Sequence, residues 1–338
     1  MLGKATVNLK LSLFNAENLF LLFDHPVPEN FEKLSEPEWQ KLSTSIYENK
    51  PLKKCLEIAK LILHEQPDIL MMCEVGGFES LKNFNEYFLS SAYSCVLIEG
   101  NSDRNIDIGY LIKKSQPYFY DIVSNKNRPL NFLYPHEINS QQHGFKIKAA
   151  SHTFSRDCAE LRLFTKDRNQ PFLILLLTHL KSRLDPERID PGGVERRAAE
   201  LKTAIAIYKE LETEFPQCPI LLCGDLNGFA GQPSPDPEFL PIYQQTDLLD
   251  IFEIAGITIE SRSTFYQIRN GGKTDGKQID YCFLPKKIWP YLNKEQTYVY
   301  KYKDHLGLAL NPPTSIEAKG LLPSDHYPLF FTLENLPI

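Results

Sequence analysis

The sequence predicts a layered α/β fold with mixed sheets, and three observations carry that prediction. Apolar runs of strand length recur along the chain, among them "ILMMC" (69–73), "FLILLLT" (172–178) and "PILLC" (219–223). Two segments, 52–64 and 194–214, read as helices instead. Several strand-like runs then follow one another with no helix between them, which disfavours a purely parallel sheet with its crossover helices. No internal repeat, low-complexity tract or long Gly/Ser linker interrupts the 338 residues, so one domain over 1–338 is expected.

Taken in chain order, residues 6–14 alternate. Val7, Leu9, Leu11 and Leu13 fall on one face, and Asn8, Lys10 and Ser12 on the other, as in a half-buried strand that ends at Asn15. In 52–64, Leu52, Cys55, Leu56, Ala59, Ile62 and Leu63 form one helical face. "QPD" breaks that helix, and "ILMMC" is a buried strand ending at Glu74. Further strands are expected at 107–114, at 160–165 and at 172–178, the last ending at His179. The helix at 194–214 precedes the buried strand 219–223, which ends at Gly224-Asp225. Strands at 279–285 and 327–333 complete the set, and 115–157 and the Pro-rich 231–241 read as long functional loops.

Composition narrows the class. With 42% hydrophobic and 24% charged residues the chain is ordinary globular material, and a net charge of −6 excludes a polycation that coats nucleic acid as a whole. Seven cysteines without a CxxC pair read as reduced thiols rather than a disulfide framework. The N-terminus alternates instead of presenting a signal-peptide core, and the longest apolar run is too short to span a bilayer. A cytoplasmic protein with no membrane anchor and no obligate protein partner is expected.

Asn15, Glu74, His179 and Asp225 each come directly after a buried strand, where a rigid sheet gathers catalytic groups. Taken singly, each also fits a turn, a surface charge or a core histidine. Four in sequence are harder to explain that way. In "CGDLNG", Asp225 and Asn227 flank one apolar residue, so extended backbone points both side chains the same way. An Asx turn around Gly224 and Gly228 is the competing reading.

The ordered set "LFNAENLF", "MMCEVGG", "THLKS", "GDLNG", "QIDYCFLP" and "SDHYPLF" runs from residue 13 to residue 330 and resembles the endonuclease/exonuclease/phosphatase superfamily. The resemblance implies a four-layer α/β sandwich of the deoxyribonuclease I type: two mixed β-sheets face to face with helices on the outer faces. It implies a divalent-metal-dependent phosphoester hydrolase. Asn15, Glu74 and Asp325 match the metal site. His179 matches the histidine that contacts the scissile phosphate. Asp225 and Asn227 match the pair that positions water and phosphate, and Asp280 with His326 resembles the Asp–His couple. Lys181 and Arg156 are candidates for a substrate phosphate.

Physical chemistry supports the assignment from its own side. A phosphodiester repels hydroxide, and a cation on carboxylates neutralises that charge. Oxygen ligands favour Mg²⁺ or Mn²⁺ over zinc. A carboxylate beside an imidazole raises its pKa and fixes its tautomer. Whether Asp225 or His326 is the formal base stays open at this level. So does the substrate. A histidine at 179 disfavours the abasic-site endonuclease role, where the family typically carries asparagine. The inositol-phosphatase signature is not matched around Asp225, and no sphingomyelinase-type hairpin is obvious. A nuclease acting on DNA or RNA is the leading expectation. The alternative is a phosphodiesterase or phosphatase acting on a lipid headgroup, inositol phosphate or other small phosphoester, and an inactive binding module ranks last. Arg104 and Asp107 are placed near the site. Residues 286–303, with interleaved lysines and aromatics, fit either nucleic-acid contact or an edge strand, and 126–156 form a second basic region.

Overall fold

Alternating and continuous apolar runs become two separate six-stranded sheets in the computed structural model, which describes residues 5–338 except 144 and 270. The strands of the first half are β1 (Thr6–Leu19), β2 (Ile69–Val75), β3 (Tyr93–Val96), β4 (Asp107–Lys113), β5 (Phe119–Val123), β6 (Cys158–Phe164) and β7 (Pro171–His179). They continue as β8 (Ile220–Asp225), β9 (Leu249–Asp250), β10 (Phe265–Ile268), β11 (Thr274–Lys277), β12 (Asp280–Leu284), β13 (Leu292–Val299) and β14 (Leu329–Pro337). One sheet has the order β13-β14-β1-β2-β4-β3, and the other β5-β6-β7-β8-β12-β9. Each is antiparallel except for one central parallel pair, β1 with β2 and β7 with β8. The sheets pack face to face with helices outside, a four-layer α/β sandwich.

Strand β7 shows why its sequence is apolar without alternation. Leu173, Leu175 and Leu177 enter the core between the sheets, with Leu11, Leu13 and Met71. Ile174 and Leu176 face the other way, against Leu201, Ala204 and Ile205 of helix Val194–Glu214. Both faces are buried, so neither can be polar. The Tyr110 hydroxyl, on β4, ties the sheets together by hydrogen bonds to the Ala159 and Leu175 carbonyls, at 2.9 and 3.0 Å. Helix Leu52–Glu65 buries Leu52, Cys55, Ile58, Ala59, Leu61 and Ile62, whereas Leu63, assigned to that face from the sequence, is 46% exposed.

Residues 115–157 are not one loop. They contain β5 and the helix Pro135–Gln142. β5 is an edge strand with no fully buried residue, so it leaves no hydrophobic pattern to read. The hairpin β10–β11 likewise stands apart from both sheets, and Gly271 and Gly272 supply its left-handed turn (φ +83° and +75°). Residues 231–241 are mostly irregular, with a short 3₁₀ turn at Pro237–Phe239. Among the described residues no helix is long and apolar enough to cross a membrane.

One glycine is demanded by the packing of β7 on β8. A Cβ on Gly224 would lie 1.9 Å from the Thr178 carbonyl oxygen, a backbone atom that cannot rotate away. Gly224→Ala is therefore expected to destabilise the fold by about 3 kcal/mol or more, the upper range of overpacking, as measured by urea titration. A loss under about 1 kcal/mol would show that the strands separate easily.

Candidate active site

Sheet register brings the first three polar groups together. His179 lies opposite Asp225, and Asp225 opposite Asp280, so neighbouring strands β7, β8 and β12 present them at one level. The other sheet contributes Asn15, whose Nδ2 donates to Asp225 Oδ2 at 2.9 Å. β14 runs antiparallel to β1 with Leu329 opposite Leu13, so the chain entering β14 passes Asn15. There the Ser324 hydroxyl donates to the Asn15 carbonyl at 2.8 Å and accepts from the His326 amide at 3.1 Å. The His326 ring then meets Asp280, Nδ1 to Oδ2, at 2.8 Å, while its Nε2 lies 3.8 Å from Asp225 Oδ2 and 3.9 Å from Asp325 Oδ1. His179 Nε2 lies 3.5 Å from the same Asp225 oxygen.

These contacts set the charges. Burial, then the neighbouring Asp280 carboxylate, push the Asp225 pKa up to about 7. Burial would lower the His326 pKa, but Asp280, Asp225 and Asp325 together outweigh it and hold the imidazole well above its ordinary value. His179 goes the other way: burial, then the Arg156 and His326 charges, keep it neutral. Burial opposes ionisation of Asp325, yet His326 and Lys319 hold its pKa below the usual value, and Lys319 Nζ lies 3.2 Å from its carboxylate.

Backbone strain gathers at the same place. Glu17, Asn18, Glu74 and Asn227 all have left-handed φ, between +49° and +58°. Register shifts in the β1–β2 and β2–β4 pairings accompany the first three, and such bulges re-aim side chains. Glu74 thereby turns toward the cleft, where its Oε2 accepts from the Asn18 amide at 3.2 Å and lies 3.8 Å from Arg104. The cleft has a volume of about 680 Å³, and Glu74, Asp225, Asn227, Asp325 and His326 all line it.

No family model matches the sequence, and neither does any curated protein. Solved structures do match. The human Nocturnin catalytic domain with bound sulfate shares 15% identity over 98% of this chain and 95% of that one, with a TM-score of 0.57. D. rerio TDP2 complexed with a single-strand DNA product shares 12% over 96% and 98%, with a TM-score of 0.53. The Bacteroides thetaiotaomicron mannosyl-6-phosphatase shares 13% over 96% and 98%, again with a TM-score of 0.53. The chain has the deoxyribonuclease I-like fold.

Within this deoxyribonuclease I-like frame the remaining sequence candidates separate. Asn15 lies behind the cleft; its Oδ1 accepts from the Glu17 amide at 2.9 Å, so both ends of its amide are engaged by protein. Lys181 does not line the cleft, because its ammonium bonds to the Leu184 carbonyl at 2.5 Å. Arg156 is buried and does not line the cleft, although its charge reaches His179. Asp107 accepts from the Gly100 amide, whereas Arg104 lines the cleft and donates to Asn18 Oδ1 at 2.6 Å. In 286–303, Tyr302 is buried and donates to the His326 carbonyl at 2.6 Å, and Tyr298 stacks on Phe330, the arrangement of a packed edge strand. In the second basic region, Arg128 pairs with Glu210 and Lys126 bonds to the Glu99 carbonyl. His25, His64, His136, His143 and His305 are exposed, and His152 pairs with Glu137.

The sequence reading missed Arg183, Arg262, Phe265 and Lys277, all of which line the cleft. Arg183 immediately follows "THLKS", and the Gly-Gly turn at 271–272 signals the hairpin that carries Phe265 and Lys277. Arg262 has no such signal.

Proposed function

We propose that this chain is a divalent-metal-dependent phosphoester hydrolase that cleaves phosphodiester bonds of nucleic acid. The observation that carries the reading is the convergence of His326, Asp280, His179 and Asn15 on one buried carboxylate, Asp225, at the floor of a cleft that also holds Glu74 and Asp325. The donor set fits Mg²⁺ or Mn²⁺: the titratable donors lining the cleft are carboxylates and one imidazole, with no thiol. The Asp225–Asp280–His326 cluster is close enough to hold an ion, but there Asp280 already accepts from the imidazole and Asp225 from Asn15. Glu74 and Asp325, whose side chains are 15% and 28% exposed against 2% for Asp225 and Asp280, are the better holders, with Asn15 orienting Asp225 behind them. A bound cation supplies charge neutralisation and polarises a phosphoryl oxygen.

The chain's own groups divide the remaining work. Asp225, near half-ionised at neutral pH, takes the proton of the attacking water. His326, held protonated against Asp280, offers its Nε2–H to charge developing on the phosphoryl group. His179 is buried outside the cleft lining, and its neutral ring, with Nε2 3.5 Å from Asp225 Oδ2, supports that carboxylate without adding charge. Asn227, fixed by its Nδ2 bond to the Leu180 carbonyl at 3.1 Å, orients the water or phosphate. Arg104, Arg183, Arg262 and Lys277 line the cleft, and although Arg183 is paired with Asp236, Arg262 lies near Glu253 and Arg104 bonds to Asn18, four cations along one cleft suit a polyanion better than a single phosphate. The same fold accommodates a single-strand DNA product in D. rerio TDP2.

The test is incubation with labelled single-stranded and duplex DNA, RNA, bis-p-nitrophenyl phosphate and p-nitrophenyl phosphate, in Mg²⁺, Mn²⁺ or EDTA. Metal-dependent cleavage of a nucleic acid is expected. Hydrolysis of the monoester alone makes the protein a phosphatase, and no hydrolysis with either metal sinks the proposal. Glu74→Gln should lower Mn²⁺ affinity by about 10-fold or more, since a neutral amide is a poor ligand for a hard cation. Unchanged calorimetric binding in that variant would remove Glu74 from the metal site.

A further inference from the structure

The turn at Glu17–Asn18 has no step in the reaction proposed above, yet it organises one wall of the cleft. Its two residues are consecutive and left-handed, and neither is glycine (φ +49° and +52°). A backbone of this kind persists only where its surroundings over-determine it. Three site residues depend on the turn. The Glu17 amide donates to Asn15 Oδ1 at 2.9 Å, the Asn18 amide to Glu74 Oε2 at 3.2 Å, and the Asn18 side chain accepts from Arg104 at 2.6 Å.

Lys50 is what the turn rests on. Its side chain is 2% exposed, an unusual burial for a lysine. Its ammonium donates to the Glu17 carbonyl at 2.8 Å and lies 3.4 Å from the Glu17 carboxylate. The lysine is itself fixed, since its amide donates to the Phe20 carbonyl at 2.8 Å and its carbonyl accepts from the buried Trp39 indole at 3.0 Å. Lys54 reaches the same carboxylate at 3.0 Å but makes no bond to the turn's carbonyl.

We infer that Lys50 is a positioning residue whose buried ammonium holds the Glu17–Asn18 turn left-handed and thereby sets Glu74 and Arg104 in the cleft. For its catalytic consequence the inference rests on the proposed phosphoesterase reading; for its structural part it does not. A buried ammonium on a backbone carbonyl restrains conformation directly, whereas a charge acting only through space would not. The two roles separate by genetics. Glycine adopts positive φ without strain, so Glu17→Gly should make the hold unnecessary.

The experiment uses the full chain in four forms: wild type, Lys50→Met, Glu17→Gly and the double variant. Amide hydrogen exchange is followed by mass spectrometry over residues 14–22, beside phosphodiester kcat/KM. In Lys50→Met, exchange over this segment should speed by about 10-fold or more, as local opening becomes easier, and kcat/KM should fall by at least about 10-fold if the reacting groups are misplaced. The double variant should recover most of both losses. Unchanged exchange in Lys50→Met, or no recovery in the double variant, overturns the inference. If Lys50→Met alone does not fold, the double variant should, and failure of both overturns it as well. Exchange changes as expected in a protein that hydrolyses no phosphoester would uphold the positioning role and discard the proposed function.

Discussion

Asp225→Asn should lower kcat/KM for a phosphodiester by about 10²–10⁴-fold, the usual worth of a general base, and should abolish one limb of the pH–rate profile. The carboxylate is 1% exposed, and burial with Asp280 alongside pushes its pKa up to about 7. Raising the pH through this value ionises the group and creates the base, so the wild-type rate should climb about tenfold per pH unit below roughly 7 and then level. His326 stays protonated to a pKa well above its ordinary value, so loss of its proton should give a falling limb at higher pH. The groups titrate together, and the two apparent values belong to the cluster. The measurement is a profile from pH 5 to 9 on both proteins, with circular dichroism to verify folding. A wild-type profile flat through pH 7, or a rising limb that survives in the Asn variant, would exclude Asp225 as the base.

What could be read from the sequence follows from how local each signal is. A buried strand that stops at a polar residue is visible within about six letters, the typical strand length, and so His179 and Asp225 are readable as the strand ends they are; β1 instead runs past Asn15 to Leu19 and β2 past Glu74 to Val75, so those two residues reach the site from bulged strand rather than from a strand end. The bond joining Asn15 to Asp225 spans 210 residues and two sheets, and no pattern within either segment reports it. Lys181 illustrates the opposite failure. It sits two residues after His179, but the strand has ended by then, and the local turn directs its ammonium to the Leu184 carbonyl. Lys319 acquires its place only through a partner elsewhere, Asp325, and in sequence it looks like any surface cation. The left-handed backbone at Glu17, Asn18 and Glu74 is equally hidden, because no glycine marks it. The edge strand β5 and the hairpin β10–β11 were missed for a simpler reason: partly exposed strands of four or five residues carry too little periodicity to detect.

The couple between His326 and Asp280 yields the second large effect. His326→Ala and Asp280→Asn should each lower kcat/KM by about 10²-fold or more, and the double variant should be little worse than the poorer single one. The reasoning starts from the 2.8 Å contact between Nδ1 and Asp280 Oδ2. That carboxylate fixes the tautomer, turns Nε2 toward Asp225 and the cleft, and keeps the ring protonated despite burial. Without Asp280 the imidazole is expected to hold its proton less tightly and to lose its orientation, so the first substitution already removes what the second would take. Groups acting as a unit give non-additive losses of this kind. Asp280→Asn should also bring the falling limb of the pH profile to lower pH, since the charge that raised the imidazole pKa is gone, whereas a merely structural role would leave that limb in place. Folding of each variant is verified by circular dichroism and melting. Fully additive losses in folded variants, with the falling limb unmoved, would show that the two residues act separately and that His326 reaches the cleft unaided.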